Sequence, residues 1–403
     1  MAKLLFLSRW FPYPPDNGSK LRIFNLLRHL GRAYDVTLIC FQGADEEVTG
    51  PKLAALAKHH IRVRAVPYHS FRPSSARALR GFLSTRPRSL VDTESREMRD
   101  TVDDEWTHCD YDVVVASELD MIPYALQIPG TPALLEDLEL ATYRDSFEHD
   151  HFWLTRMRRW LTWWKLRSYI RRTLPRFAAC TVVSDVERAH LCAVIPTYTS
   201  IVTVPNAVDT AKYDADFGHP EPETLIWSGS LTYRPNYEAV QYFIKEILPR
   251  VMSAVPNAKL RITGHCEGID LGSLQHSPGV EFTGYLEDVR PAISRSWASV
   301  VPLRTGGGTR LKILESMALG TPVVATKKGA EGLEVNDGQN ILIAENPDQF
   351  AGRVVSLLGS PHLRTHLSMG GRDLVRSRYD WEVVAPTFTT LVEDVRRRGS
   401  GRS

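Results

Sequence analysis

Gly306-Gly-Gly-Thr-Arg-Leu-Lys-Ile-Leu-Glu-Ser-Met-Ala-Leu-Gly-Thr-Pro-Val-Val-Ala-Thr326 runs a glycine-rich turn into a helical pattern and then into an apolar strand. Leu311, Leu314 and Ala318 recur at i, i+3 and i+7, the core-facing stripe of a helix, and Glu315 lies on that stripe. A carboxylate in that place needs a partner. The glycines let the backbone approach a ligand closely, and the first free amides of the helix point at whatever fills the space, which favours an anion. Arg310 and Lys312 oppose the helix dipole by roughly 0.3–1 kcal/mol each unless negative charge stands in front of them. The segment reads as a phosphate site. The plainer alternative is a solvated Arg/Lys pair with a glutamate at the edge of the core.

Working outward, short apolar runs alternate with helical patterns along most of the chain, which predicts an α/β fold of parallel sheets covered by helices. In the first half the strands fall near residues 3–8, 35–40, 61–66, 112–116, 133–135, 179–184 and 201–204. Between the first two, Ile23, Leu26, Leu27 and Leu30 mark a helix, fed by the turn Pro14-Pro-Asp-Asn-Gly-Ser19. Asn17, Gly18 and Ser19 are capping and turn residues, so the amides there face the carboxyl edge of the sheet, where ligands bind. Residues 213–223 lose periodicity and gain prolines and acids, as a linker does. A second series follows, with strands near 224–227, 259–263, 280–282, 298–302, 322–325 and 341–343, and a closing helix from about Trp381. The arginine-, glycine- and serine-rich end reads as a disordered tail.

The chain has 403 residues, enough for two domains. Lys+Arg 49 against Asp+Glu 47 leaves a formal net charge of +2, so no global basic balance marks a nucleic-acid binder. Five scattered cysteines (Cys40, Cys109, Cys180, Cys192, Cys266) show no zinc-ligand spacing and read as free thiols of a reducing compartment. Only four apolar residues precede Ser8 and Arg9, too few for a secretory signal, and no run approaches the ~18 apolar residues of a membrane span. A cytoplasmic protein, or one peripheral to a membrane, is expected.

Five patches then carry a family resemblance. Val204-Pro-Asn-Ala-Val-Asp209, Thr181-Val-Val-Ser-Asp-Val-Glu-Arg188, Trp227-Ser-Gly-Ser-Leu-Thr-Tyr-Arg-Pro-Asn236, Gly279-Val-Glu-Phe-Thr-Gly-Tyr285 and the 306–326 segment resemble, in order and spacing, the family-4 glycosyltransferases of the GT-B fold. The resemblance implies two facing doubly wound parallel-sheet domains, with the acceptor on residues 1–212 and the nucleotide-sugar donor on 224–378. It also implies a crossing helix at 379–398 before a tail at 399–403. Transfer in the family typically retains anomeric configuration and needs no metal, and no cofactor is expected.

Residue by residue, Glu315 matches the second glutamate of the family's Glu-x7-Glu motif, which binds the donor ribose. The first glutamate is replaced by Gly307. The sugar then falls to other groups, such as the backbone amides of Gly307, Gly308 and Thr309. Beyond Gly229, where many relatives carry an arginine and a lysine, this chain has Ser230 and Asn236, with Arg234 close by. The diphosphate role therefore moves to Arg310 and Lys312, with Arg234 in reserve, and Leu314 completes the donor segment. Gly284 and Tyr285 match the place of base recognition, and His265 beside Gly264 is a candidate ligand contact. On the acceptor side the segment 134–139 places three carboxylates at a strand end. Asp137 and Glu139 are the candidates for acceptor orientation or proton uptake, with Glu118 a further one and a solvated acidic loop the alternative.

From His151 to Ser184 there is no acid, while eight cations accumulate between Arg156 and Arg176. Trp153, Met157, Trp160, Leu161 and Trp164 share one helical face, with Arg158, Arg159 and Lys165 around the other. Residues 153–176 thus suit an anionic membrane surface, unless the tryptophans pack into the first domain. The whole reads as a retaining hexosyltransferase acting from a nucleoside diphosphate sugar on a glycan or lipid-linked acceptor. The competing readings are an epimerase of the same fold and a nucleotide-sugar-binding protein without transfer activity.

Overall fold

The structure, a computed structural model, describes residues 1–43, 47–141, 143–144, 153–308 and 310–400, with backbone only at Leu154 and Ser400. The chain divides into two compact units, Met1–Pro205 with Val384–Ser403, and Asn206–Val383.

In the first unit, β1 (Ala2–Ser8), β2 (Tyr34–Gln42), β3 (Ile61–Pro67), β4 (Val113–Ser117), β5 (Ala133–Glu136), β6 (Ala179–Val182) and β7 (Ile201–Thr203) form one sheet. Its order is β3-β2-β1-β4-β5-β6-β7 and every pairing is parallel. Residues Leu4–Leu7 and Val113–Ala116 are buried on both faces, the continuous apolar pattern of a sheet covered on both sides. The second unit repeats the plan. β8 (Glu221–Ser228), β9 (Lys259–Thr263), β10 (Val280–Gly284), β11 (Ser296–Val301), β12 (Val323–Ala325) and β13 (Leu342–Ile343) lie in the order β10-β9-β8-β11-β12-β13, again all parallel. Strand order reverses between β1 and β4 in one sheet and between β8 and β11 in the other. Each sheet therefore has one switch point, where the loops at its carboxyl edge diverge and leave a crevice.

All thirteen expected strands are present, and the differences at their ends have local causes. β6 stops at Val182 because Ser184 turns out to cap the helix Asp185–Val194, its Oγ accepting from Glu187 N. β8 begins inside the acidic, proline-bearing stretch expected to be linker. Arg261 and Arg295 bind the two oxygens of the Glu221 carboxylate at 2.9 and 2.6 Å and hold the chain extended there. At the C-terminus, helix Trp381–Ser400 runs through the expected tail. Its last turns are held by Glu393, which accepts from Arg396, Arg397 and Tyr34. Residues 401–403 lie outside the described residues.

The long helix Trp153–Thr173 is only partly as expected. Trp153, Met157, Trp160 and Trp164 are exposed, but Lys165, placed by the sequence on the wet face, is buried and donates from Nζ to the carbonyls of Gly81 and Phe82. Among the described residues no helix is long and apolar enough to cross a membrane.

Candidate functional site

At the switch point of the second sheet, three loops meet at backbone distance. Gly229 N donates to Thr263 O and Gly264 N to Gly284 O, both at 2.9 Å, so the ends of β8, β9 and β10 are laced together. Gly264 has φ +136°, and a Cβ there would lie 2.4 Å from Gly229 O. Only glycine permits that crossing. At Gly229, φ +140°, a Cβ would meet Lys312 Nζ at 2.8 Å.

Lys312 reaches this crossing from the first turn of helix Leu311–Ala318. Its Nζ stands 3.7 Å from the ring centroid of the buried Trp227 and donates to Asn236 Oδ1 at 3.2 Å, while Asn236 Nδ2 donates to Ser230 O at 2.7 Å. Loss of water, and secondarily the charge of Arg310, push the Lys312 ammonium down to about 7, against the pull of Glu315. One turn on, Glu315 Oε1 accepts from Tyr213 Oη at 3.2 Å. Burial raises the Glu315 carboxyl above its ordinary value, opposed by Tyr213 and Lys312. Tyr213 was not singled out in the sequence, since it falls in the stretch taken as linker.

Other expected donor residues are placed differently. The Arg310 guanidinium does not project from the helix start. It donates to the carbonyls of Gly306 (2.7 Å), Gly307 (2.9 Å) and Lys328 (3.1 Å), fastening the glycine-rich turn from behind. Gly306 and Gly308 hold φ of +97° and +85°, and Gly306 packs on Tyr233 and Pro235, where a Cβ would come within 3.1 Å of both. Leu314 is a core residue, fully buried, and so contributes no side chain to a ligand. Arg234 is turned to the surface, paired with Glu238. His265 and Tyr285 stack with centroids 4.3 Å apart and planes at 16°, a half-exposed aromatic ledge beside Gly264 and Gly284. Thr309 lies outside the described residues.

The switch point of the first sheet gathers a different chemistry. Glu118 follows β4 with φ +68°, and its Oε1 accepts from Trp10 Nε1 at 3.0 Å. Burial, helped by Asp120 and Glu136, pushes its carboxyl up to about 7 against the pull of Arg9. Arg9 Nη1 lies 3.3 Å from Asp120, with its guanidinium over the rings of Trp10 and Tyr68. Deeper, Arg22 Nε donates to Glu136 Oε1 at 2.6 Å and Arg22 Nη1 to Val204 O at 2.9 Å, while Ser117 Oγ donates to Glu136 Oε2 at 2.6 Å. Arg22 and Glu136 are both buried. Asp137, with φ +54°, has its carboxylate 3.6 Å from Arg22 Nε, and burial raises that carboxyl well above the usual range.

Asp137 and Glu118 thus belong to one carboxyl-edge cluster, and the half-exposed Glu139 lies near enough for its charge to act on Asp137. The described part of the loop after Asp137 is stapled to β6 and to the helix Asp185–Val194 instead of being a free acidic loop. Asp137 N donates to Thr181 Oγ1, and Leu140 N and Ala141 N donate to the buried Glu187. Asn17 is occupied in capping helix Gly18–Leu30, its Oδ1 accepting from Lys20 N at 3.1 Å, with Gly18 and Ser19 opening that helix. Among the described residues no three His, Cys, Asp or Glu side chains are grouped to hold a metal ion.

Comparison with known proteins agrees with this arrangement. A family profile described as Glycosyltransferase Family 4 matches residues 17–212, and one described as Glycosyl transferases group 1 matches residues 222–360. A phosphatidyl-myo-inositol mannosyltransferase of Mycobacterium leprae is 32% identical over 38% of this chain and 43% of its own. The lipopolysaccharide core biosynthesis glycosyltransferase LpsE of Rhizobium meliloti is 26% identical over 52% of this chain and 60% of its own. The chain thus spans about half the length of the curated relatives it matches. Anabaena HepE, solved in complex with UDP, superposes over 97% of this chain and 100% of its own with a TM-score of 0.68 at 14% identity, a likeness of fold. With one profile on each unit and the fold shared end to end, the chain belongs to the family-4 glycosyltransferases of the GT-B fold.

Proposed function

We propose that this protein transfers a hexose from a nucleoside diphosphate sugar to a glycan or lipid-linked acceptor, with retention at the anomeric carbon. The observation that carries the reading is the placement of Lys312 and Glu315 on one helix start behind the crossed glycines. Three residues apart, they are separated by about 4.5 Å along the axis, so the two side chains can reach neighbouring parts of one ligand. Glu315, half satisfied by Tyr213, would accept from the diol. Lys312 and the amides of the helix start would face the diphosphate and offset the charge that develops as the bond from anomeric carbon to phosphate oxygen breaks. The acceptor hydroxyl oxygen bonds to that carbon as the phosphate oxygen leaves with the bonding pair, and the hydroxyl proton passes to that departing oxygen. Arg310 supports the turn; its contacts keep the carbonyls of Gly306 and Gly307 turned away from an anion.

Relatives named for phosphatidylinositol and lipopolysaccharide substrates support a lipid-linked acceptor, and we extend the proposal to docking of helix Trp153–Thr173 on an anionic membrane surface. Calorimetric titration of uridine and guanosine mono- and diphosphates tests the donor site. Glu315→Gln should weaken mono- and diphosphates alike, and Lys312→Met should weaken the diphosphate roughly ten- to a hundredfold and the monophosphate less. A folded Glu315→Gln variant that binds nucleotides as the parent does would refute the assignment. Release of diphosphate from a nucleotide sugar only when a lipid-linked acceptor is added separates transfer from epimerisation or simple binding.

A further inference from the structure

Helix Trp153–Thr173 does not carry its exposed face alone. The buried Lys165 ammonium binds Gly81 O at 2.9 Å and Phe82 O at 2.8 Å, closing the end of the short helix Ala76–Arg80. Arg172 donates to Thr85 O and Oγ1 at 3.2 and 3.3 Å. These contacts fix residues 79–85 against the long helix, and both elements leave large apolar side chains in water. Leu83 is 94% exposed and Leu79 53%, with Phe82 close behind; on the long helix Trp153 is 67% exposed and Trp160 and Trp164 about half. Trp153, Met157, Trp160 and Trp164 recur at i, i+4, i+7 and i+11, one helical face, while Leu166, Tyr169 and Ile170 supply the buried face further on.

The charges of the two elements match. From Phe71 to Val91 the chain has five arginines, Arg72, Arg77, Arg80, Arg86 and Arg88, and no acid, just as 153–184 has none. Arg88 lies 3.8 Å over the Phe82 ring, a cation held on an apolar surface. Exposed apolar groups on this scale mark a binding surface. A second copy of the chain would bring the same cations to an isologous contact and be repelled. An interfacial lipid layer with anionic headgroups accepts both the aromatic side chains and the arginines.

We infer that residues 79–85 and helix Trp153–Thr173 form one composite surface that docks on an anionic lipid bilayer, an inference that rests on the membrane reading above and adds a second element to it. The extreme exposure of Leu83 makes it the apolar tip and Arg80 a flanking cation.

The test is sedimentation of the full chain with phosphatidylcholine vesicles, with and without phosphatidylglycerol, at low and high salt. The parent should bind only the anionic vesicles and release them as salt rises. Leu83→Glu should reduce binding roughly tenfold or more and Arg80→Glu about fivefold or more, as should Trp160→Ser, with nucleotide affinity unchanged because the donor residues belong to the other unit. Unaltered nucleotide titrations and circular dichroism establish that the variants are folded. If Leu83→Glu and Arg80→Glu bind as the parent while Trp160→Ser does not, the composite surface is wrong and the single-helix reading survives. If the parent ignores anionic vesicles, both fall. A dimer in light scattering that Leu83→Glu dissociates, without vesicle binding, would make the face a contact between copies and overturn the inference, as would salt-sensitive binding to single-stranded RNA in place of vesicles.

Discussion

Lys312 offers the most exacting test, because its charge is conditional. Its ammonium is pushed down to about 7, first by loss of water and then by Arg310, so in the unliganded protein it is largely neutral above that pH. A diphosphate beside Nζ would restore the ordinary lysine value of ~10.4, so donor binding must take up a proton in the interval between. The sign is fixed: affinity is full below about pH 7 and falls as pH rises. With a free value of about 7, the dissociation constant should rise roughly twentyfold from about pH 7.5 to about pH 9, approaching tenfold per unit. The window avoids the nucleotide's own terminal phosphate, which titrates near ~6. Titrating uridine diphosphate in two buffers of different ionisation enthalpy reads the protons directly, and uptake should approach one by about pH 8.5. Lys312→Arg keeps its charge and should flatten the profile. Lys312→Met should be both weak and flat. If the parent takes up no proton above about pH 7.5, or if Lys312→Arg keeps the parent's pH dependence, Lys312 does not face the diphosphate.

Three further outcomes follow from the geometry. Gly264→Ala forces a Cβ against Gly229 O at 2.4 Å with φ +136°, and should cost at least about 3 kcal/mol in denaturant unfolding; a loss under about 1 kcal/mol would mean the crossing is loose. The Glu118 carboxyl, raised to about 7, binds more protons folded than unfolded between its ordinary value of about 4.5 and about 7, so stability should fall as pH rises through that window. Glu118→Gln, which can still accept from Trp10, should reduce that slope, with the buried Asp137 and Glu315 supplying the remainder, and an unchanged slope would show that Glu118 does not contribute to it. Arg22→Met should cost about 3–5 kcal/mol, since it leaves the buried Glu136 carboxylate with only the Ser117 hydroxyl, and Glu136→Met should cost less because Asp137 still stands 3.6 Å from Arg22; the double variant should cost less than the sum of the two, and additive losses would show the pair is not coupled.

The sheets were legible because their strands are buried on both faces and therefore written as continuous apolar runs, as in Leu4–Leu7 and Val113–Ala116. Glu315 was legible for the converse reason, a carboxylate on an apolar stripe. What could not be read is where long side chains go. Arg310 has the spacing of a phosphate ligand, but three carbonyls within reach take up its terminal nitrogens first. Lys165 has the spacing of a wet face, but a helix end 84 residues away in sequence supplies its acceptors. The pair Arg22 and Glu136 is 114 residues apart and became visible only when β5 and helix Gly18–Leu30 were brought together. Nor does Asn236 announce itself, yet it bridges Ser230 and Lys312. One signal was available in principle: a charged residue amid buried helical or strand positions, as at Arg22 and Glu136, requires an opposite charge elsewhere in the core.

The two switch points share a physical device with opposite sign. In the second unit burial lowers a lysine toward neutrality, and in the first it raises Glu118 and Asp137 toward neutrality. A group held away from its charge by desolvation gains most from a ligand that returns the charge. For Lys312 that ligand is an anion, which the crossed glycines and helix amides also favour. Glu118, poised at about 7 and oriented by Trp10, can accept a hydrogen bond from a hydroxyl when ionised and donate one when protonated. The two switch points thus differ in the groups they suit, an anion in the second unit and a neutral hydroxyl in the first, which is the division that the proposed transfer would require.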